Sequence, residues 1–120
     1  MANSDDLFQE INQSISPAFP QIQFSALTPN ERGFDRAMEC GVKEVAIFAA
    51  DTEQYSQKNI NCSISESLER FAPLAEKAQS ANVRIRGYVS CVLGCPYQGS
   101  VSTDEVLEVT KSLLDLGCYE

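Results

Sequence analysis

The 120-residue sequence contains no histidine and no tryptophan. Without histidine, the chain supplies no Ser-His-Asp or Cys-His arrangement, no imidazole base and no His metal ligand. Positive charge is scarce too: 9 Lys and Arg stand against 17 Asp and Glu, a net charge of −8. That balance argues against DNA or RNA as a partner, because phosphate recognition needs a basic stripe. No apolar run approaches the ~20 residues that span a bilayer, so no membrane span is expected. The opening Met1-Ala2-Asn3-Ser4-Asp5-Asp6 is acidic, unlike a signal or transit peptide, and predicts a soluble intracellular protein. Cys40, Cys62, Cys91, Cys95 and Cys118 are odd in number and irregular in spacing. They do not form a secreted disulfide framework, and reduced thiols are the expectation.

What is present is a strand–helix alternation with enough apolar residues, 43%, to build one core. Ser4 is placed to cap a helix reaching Ile15, with Leu7, Phe8, Ile11 and Ile15 on one face. Pro17 and Pro20 are expected to stop it. Phe24 to Leu27 reads as a short strand, and Thr28-Pro29-Asn30 starts a helix with Phe34, Ala37 and Met38 inward and Gly41 at its end. Glu44 to Ala50 is nearly all apolar, the pattern of a parallel strand buried on both faces.

Asp51 to Cys62 reads as a polar loop. Ser63-Ile64-Ser65-Glu66 is a capping box opening a helix with Ile64, Leu68, Phe71, Leu74 and Ala78 in phase, and Pro73 is expected to kink it. Val83 to Cys91 is a third strand. Ser102-Thr103-Asp104-Glu105 is a second capping box, and its helix closes at Gly117. The order α–βα–βα–βα implies a parallel sheet. A (β/α)₈ barrel takes about 250 residues, and this chain supplies about three of its units.

In parallel α/β folds, function resides in the loops that follow the strands. Three segments there carry candidate chemistry. Cys91-Val92-Leu93-Gly94-Cys95, with or without Cys62, has the residue type for a thiolate zinc site or a redox pair. The C-x₃-C spacing matches neither pattern well, and free thiols are the plainer reading. Lys58-Asn59-Ile60-Asn61-Cys62-Ser63 lies before a helix N-terminus. Its lysine, amides and helix N–H groups suit an anion or an acyl thioester, or else simple capping. Arg84, Arg86 and Tyr88 alternate on one face of a strand, directed into a barrel lumen or along a solvated edge. No carboxylate partner for the arginines is identifiable in the chain, so partners on other strands are expected.

These loops carry a family resemblance. Ala26-Leu27-Thr28-Pro29-Asn30 with Gly33-Phe34, Glu44-Val45-Ala46-Ile47-Phe48, Asn59-Ile60-Asn61-Cys62-Ser63, Gly87-Tyr88-Val89-Ser90-Cys91 and Leu93-Gly94-Cys95-Pro96-Tyr97 together resemble hydroxymethylglutaryl-CoA lyase. The resemblance implies a (β/α)₈ TIM barrel of the pyruvate carboxyltransferase-like kind. It implies cleavage of 3-hydroxy-3-methylglutaryl-CoA to acetyl-CoA and acetoacetate, in leucine breakdown and ketone-body formation. Residues 1–120 then form a single incomplete barrel segment, from the family's second helix through its fifth.

The resemblance also sets limits. The complete family enzyme uses a divalent cation, Mg²⁺ or Mn²⁺, but its Arg-Asp pair, His-x-His motif and later asparagine have no counterpart in this sequence. Its glycine-rich cysteine loop is missing as well, and Cys95, which follows a different strand, is not assigned that role. No catalytic residue and no metal ligand are therefore assigned. The positions carried over are substrate-side: Lys58 and Asn59 near the CoA ester, Tyr88 and Arg86 toward the barrel interior. The expected partner is a CoA thioester, with a homodimer open to the full-length enzyme. The expected location is the bacterial cytoplasm, or the mitochondrial matrix in a eukaryote. The 120 residues alone are expected to be inactive. The rival readings are a non-catalytic CoA-ester or partner-binding module and a cysteine-based metal or redox protein.

Overall fold

A computed structural model describes residues 3–120; Met1 and Ala2 of the acidic N-terminal segment lie outside the described residues. The elements are α1 (Ser4–Glu10), a π-helical stretch (Ile11–Ile15), α2 (Ser16–Ala18), β1 (Ser25–Leu27), α3 (Glu31–Glu39), β2 (Glu44–Ala50), α4 (Glu53–Ile60), α5 (Ile64–Ser80), β3 (Arg84–Ser90) and α6 (Thr103–Asp115). The three strands form one parallel sheet in the order β1-β2-β3. Three successive βα units, preceded by helix, match the expected segment of a (β/α)₈ barrel.

Local chemistry explains most boundaries. Asn30 caps α3 by accepting the Gly33 N–H at 2.8 Å. Both capping boxes form, Ser63 with Glu66 on α5 and Ser102 with Glu105 on α6. Gly41 ends α3 and Gly117 ends α6 at φ of +73° and +105°, values that an L side chain rarely adopts.

The N-terminal helix departs from expectation. Asn3, not Ser4, occupies the N-cap, and it makes no side-chain cap bond. Helical backbone also continues past Ile15 to Ala18, because Pro17 sits in the first turn of α2, where its missing N–H is tolerated. The turn before it absorbs the ring by widening to π geometry. Pro73 lies inside α5, which runs unbroken from Ile64 to Ser80.

The core lies between one face of the sheet and helices α3, α5 and α6. Val45, Ile47, Ala49 and Ile85 meet Phe34, Phe71, Leu74 and Leu113 there, all buried. Alternation along each strand decides which residues take that face. Gly87 belongs to it and brings α6 close: a Cβ there would stand 3.1 Å from Cys118 Sγ. Cys118 is sealed in, and burial pushes its thiol up to about 11.

The opposite face carries Glu44, Ala46 and Phe48 beside Arg84, Arg86 and Tyr88 in register. Tyr88 and Leu27 are about half exposed, at 48% and 45%. Residues 118–120 run beside the other edge of β3, with Tyr119 N–H donating to the Ile85 carbonyl at 3.0 Å and Gly87 N–H to the Glu120 carbonyl at 2.7 Å. No helix among the described residues is long and apolar enough to cross a membrane.

Candidate functional site at the strand ends

Two of the three segments that follow the strands meet. Asp51 to Cys62 is not a loop: its centre is α4, eight residues from Glu53 to Ile60. Helix here has little apolar periodicity to announce it. Its one buried residue is Ser56, whose hydroxyl donates to the Cys62 carbonyl at 2.7 Å. Thr52 caps α4, accepting the Tyr55 N–H at 3.3 Å, and Asn61 ends it in the left-handed region at φ +56°.

The same Thr52 hydroxyl donates to Cys95 Sγ at 3.1 Å, joining α4 to the segment after β3. That segment folds back on itself through a Cys91–Gly94 turn and reciprocal Cys95–Gly99 backbone bonds of 2.7 and 2.8 Å. Tyr97 comes to rest near Tyr55, ring centroids 6.2 Å apart. Lys58 places its ammonium 5.6 Å from the Tyr97 ring centre, within cation–π range. Asn59 donates to the Tyr55 carbonyl at 3.2 Å.

The helix N-terminus considered as an anion receptor is served from within. Ile64 N–H points to both Glu53 carboxylate oxygens at 3.3 Å, and the Glu66 N–H donates to Ser63 Oγ. A carboxylate of the chain thus occupies the end of α5, as the helix dipole favours.

Arg86 and Tyr88 make a separate pair on the inner face of β3, with the guanidinium 5.6 Å from the ring centre. Carboxylate partners for the arginines do exist in the chain, contrary to expectation. Arg86 reaches Glu120 at 2.7 Å and Arg84 reaches Glu44 at 3.4 Å. The strand register hides these pairs from a linear reading, since Glu44 and Arg84 become neighbours only once β2 and β3 pair. No hydrogen bond, ion pair or ring contact joins Lys58 and Asn59 to Arg86 and Tyr88 among the described residues. Thr52 and Tyr55 carried no linear signal, and Tyr97 stood in the sequence only as the end of the Leu93-Gly94-Cys95-Pro96-Tyr97 motif, with nothing to place it beside α4. Thr52 lacks the acidic residue three positions on that marks a capping box.

All five cysteines are free thiols. Burial pushes the Cys91 thiol up, with the neighbouring Cys95 and Asp51 adding to it. Burial pushes Cys95 up as well. The Thr52 hydroxyl, the backbone of Tyr97 and Gln98 and the Cys91 thiol outweigh that, and together hold it below the ordinary thiol value.

Comparison with known proteins bears on this arrangement. The HMGL-like family model matches residues 2–120. The 3-hydroxy-3-isohexenylglutaryl-CoA/hydroxy-methylglutaryl-CoA lyase of Pseudomonas aeruginosa is 52% identical over all 120 residues, which cover 38% of its length. The mitochondrial hydroxymethylglutaryl-CoA lyase of Pongo abelii is 57% identical over 102 residues, 85% of this chain and 31% of that protein. The crystal structure of hydroxymethylglutaryl-CoA lyase from Pseudomonas aeruginosa superimposes on the whole chain with a TM-score of 0.91 at 52% identity, covering 38% of that structure. The chain thus matches only about a third of the length of these relatives, 38% and 31%. Its three βα units, its rim loops and its sequence from end to end place it within one group: the chain belongs to the HMGL-like family.

Proposed function

We propose that this chain forms part of the barrel of a hydroxymethylglutaryl-CoA lyase, which cleaves 3-hydroxy-3-methylglutaryl-CoA to acetyl-CoA and acetoacetate. The observation that carries the reading is 52% identity over every residue of the chain to an enzyme of that name, with the same backbone path. In this reading residues 1–120 are one segment of the barrel, from the family's second helix through its fifth.

A CoA thioester of a dicarboxylic acid is an anion at both ends. In a chain of net charge −8, Lys58 is an exposed cation beside the strand ends and Arg86 a part-exposed one on the inner sheet face. These are the groups suited to draw and orient it. The Tyr97 ring faces the Lys58 ammonium, and Asn59 lies on the same helix. Tyr88 offers a phenol beside Arg86, suited to a carbonyl or carboxylate oxygen.

The family resemblance calls for a divalent cation, Mg²⁺ or Mn²⁺. Among the described residues no group of three or more Cys, Asp or Glu side chains is disposed to hold one, and the sequence has no histidine. The residues present do not fit that ion, so no step is routed through it on this chain. Its part is to bind and orient.

The test is an exchange. The 120 residues replace the matching segment of the Pseudomonas aeruginosa lyase, and acetoacetate release is measured with Mg²⁺ or Mn²⁺. The chimera is expected to turn over, while the isolated chain releases no acetoacetate. A folded but inactive chimera would overturn the assignment. Turnover by the isolated chain would show that catalytic groups lie within it, and CoA-ester binding by a chain whose chimera is inactive would favour a non-catalytic binding module.

A further inference from the structure

Asp51 is the first residue after β2, and its backbone is fixed between the strand and α4. Its N–H donates to the Ser90 carbonyl at 3.3 Å, and Thr52, next in the chain, caps the helix. The side chain is withdrawn from water, at 2% exposure. Neither carboxylate oxygen has a hydrogen-bond partner among the described residues, and no Lys or Arg pairs with it there. Buried charges in folded proteins are paired or hold a cation, and this one has no counter-charge from its own chain.

Asp51 borders a cavity of about 440 Å³ between α5 and α6. Three further acids line it: Glu53 from the start of α4, and Glu105 and Glu108 from the start of α6. They are part-exposed or exposed, so Asp51 is the buried member of the set. No basic residue lines the cavity, and none of the four acids belongs to an ion pair among the described residues. Glu53 accepts the Ile64 N–H and Glu105 the Ser102 N–H and hydroxyl, which leaves both carboxylates room for further donors. Ile64 and Leu68 of α5 and Val109 of α6 supply apolar wall. The acids are not gathered for a metal ion: no three Asp, Glu or Cys side chains among the described residues are disposed to hold one. Acids spread around an apolar wall suit a cation that is itself extended.

We propose that this cavity binds a linear aliphatic polyamine, with one ammonium on Asp51 and a second on Glu105 and Glu108. Each ammonium brings three N–H donors and no acceptor, the complement of carboxylates that lack donors. The methylene stem lies along Ile64, Leu68 and Val109, so charge and hydrocarbon alternate in the ligand as they do in the lining. Pairing offsets the cost of keeping the Asp51 charge out of water. The bound amine ties the end of β2 to α6. The inference does not depend on the lyase reading.

Spermidine is titrated into the 120-residue chain and, in parallel, into the chimera, at about 0.15 M salt to screen exposed charges. Calorimetry and thermal unfolding are the readouts. Saturable one-site binding is expected, with an unfolding midpoint that rises with spermidine concentration. D51N should weaken binding about tenfold, the loss of a charge-assisted bond to a buried group. E108Q removes an exposed charge and should weaken it about threefold; this surface variant keeps the test available if D51N fails to fold. E39Q and D115N, which remove acids that do not line the cavity, should bind as the parent does. Butylamine, with one ammonium, should bind about tenfold more weakly than spermidine, and Mg²⁺ should not displace spermidine at equal concentration. Absence of saturable binding, or a folded D51N that binds as the parent does, would overturn the proposal. Equal losses in E39Q and E108Q would overturn it too, as diffuse attraction to a chain of net charge −8. Butylamine binding as tightly as spermidine would overturn the polyamine assignment in favour of a lone ammonium such as a lysine side chain.

Discussion

Glu44 and Arg84 stand side by side at the start of β2 and β3, partners in the parallel register with Arg84 Nη2 3.4 Å from Glu44 Oε2. The carboxylate is the buried member, its side chain 4% exposed against 52% for the guanidinium. Two further donors complete it: Tyr119 O–H at 2.6 Å and Gln23 Nε2 at 3.0 Å. One carboxylate therefore ties together the segment before β1, the β2–β3 pair and the residues after α6.

Replacing Glu44 with alanine leaves Gln23 and Tyr119 without their acceptor. The ion pair itself contributes little, because Arg84 is half in water. The hydrogen bonds to a buried charge contribute more, and Glu44→Ala is expected to lower stability by about 2 kcal/mol. Urea unfolding followed by circular dichroism reads this as a lower midpoint with an unchanged slope. Tyr119→Phe should show a smaller loss, and the double variant should fall short of the sum, as coupled neighbours do.

Asp51 is the opposite case, a carboxylate with no partner. It is 2% exposed, and neither oxygen has a hydrogen-bond partner among the described residues. It borders a cavity of about 440 Å³ that Glu53, Glu105 and Glu108 also line. Burial, with a smaller contribution from Glu105, pushes its pKa above the ordinary carboxylate value. The folded state therefore binds a proton more tightly than the unfolded chain does. The stability tied to that proton is present below the ordinary value near 3.8 and is lost as pH rises through the raised one. Asp51→Ala should stabilise the protein at pH 7 by about 1 kcal/mol. It should also flatten the mildly acidic limb of the stability profile. A less stable variant at pH 7 would show that the carboxylate has a partner.

The legible part of this fold was local. Ser63 with Glu66 and Ser102 with Glu105 announce their helices within four residues each, and the apolar run Glu44–Ala50 announces a covered strand. α4 was not legible, because it buries a serine rather than an apolar stripe, and tertiary contact decides such a segment. The candidate site divides the same way. Lys58 stood out in an amide-rich stretch before a helix and Arg86 in a strand alternation, and the family resemblance marked both as substrate-side. Their neighbours Tyr97 and Glu120 became visible only when chain distant in sequence was brought together.

Each capping box should register separately. Ser63→Ala and Ser102→Ala each remove the acceptor for an N3 amide, at an expected cost of about 1 kcal/mol. The two boxes lie on different helices, so their losses should add. Ser102 has a second signature. Its N–H, and then its hydroxyl, hold the Glu105 carboxyl below the usual range. That contribution is present above the ordinary carboxylate value and is lost as pH falls through the depressed one. The S102A deficit, measured by urea unfolding, should therefore shrink at acid pH. A deficit equal at pH 7 and at acid pH would point to helix propensity instead of the charge-assisted bond.

Lys58 and Arg86 distinguish binding from chemistry in the chimeric lyase. If both act on the anionic ester, Lys58→Ala and Arg86→Ala should each raise KM about tenfold, the loss of roughly one charge-assisted contact, with kcat little changed. Lys58→Arg should recover most of the loss, since it keeps the charge over Tyr97. Arg86→Lys should recover less. The guanidinium spans Glu120 on one side and the Tyr88 ring on the other, and an ammonium does not replace a planar group that stacks and bonds at once. Steady-state kinetics with varied CoA ester supplies the measurement. A fall in kcat at constant KM for either alanine variant would move that residue from substrate binding to support of the reacting centre.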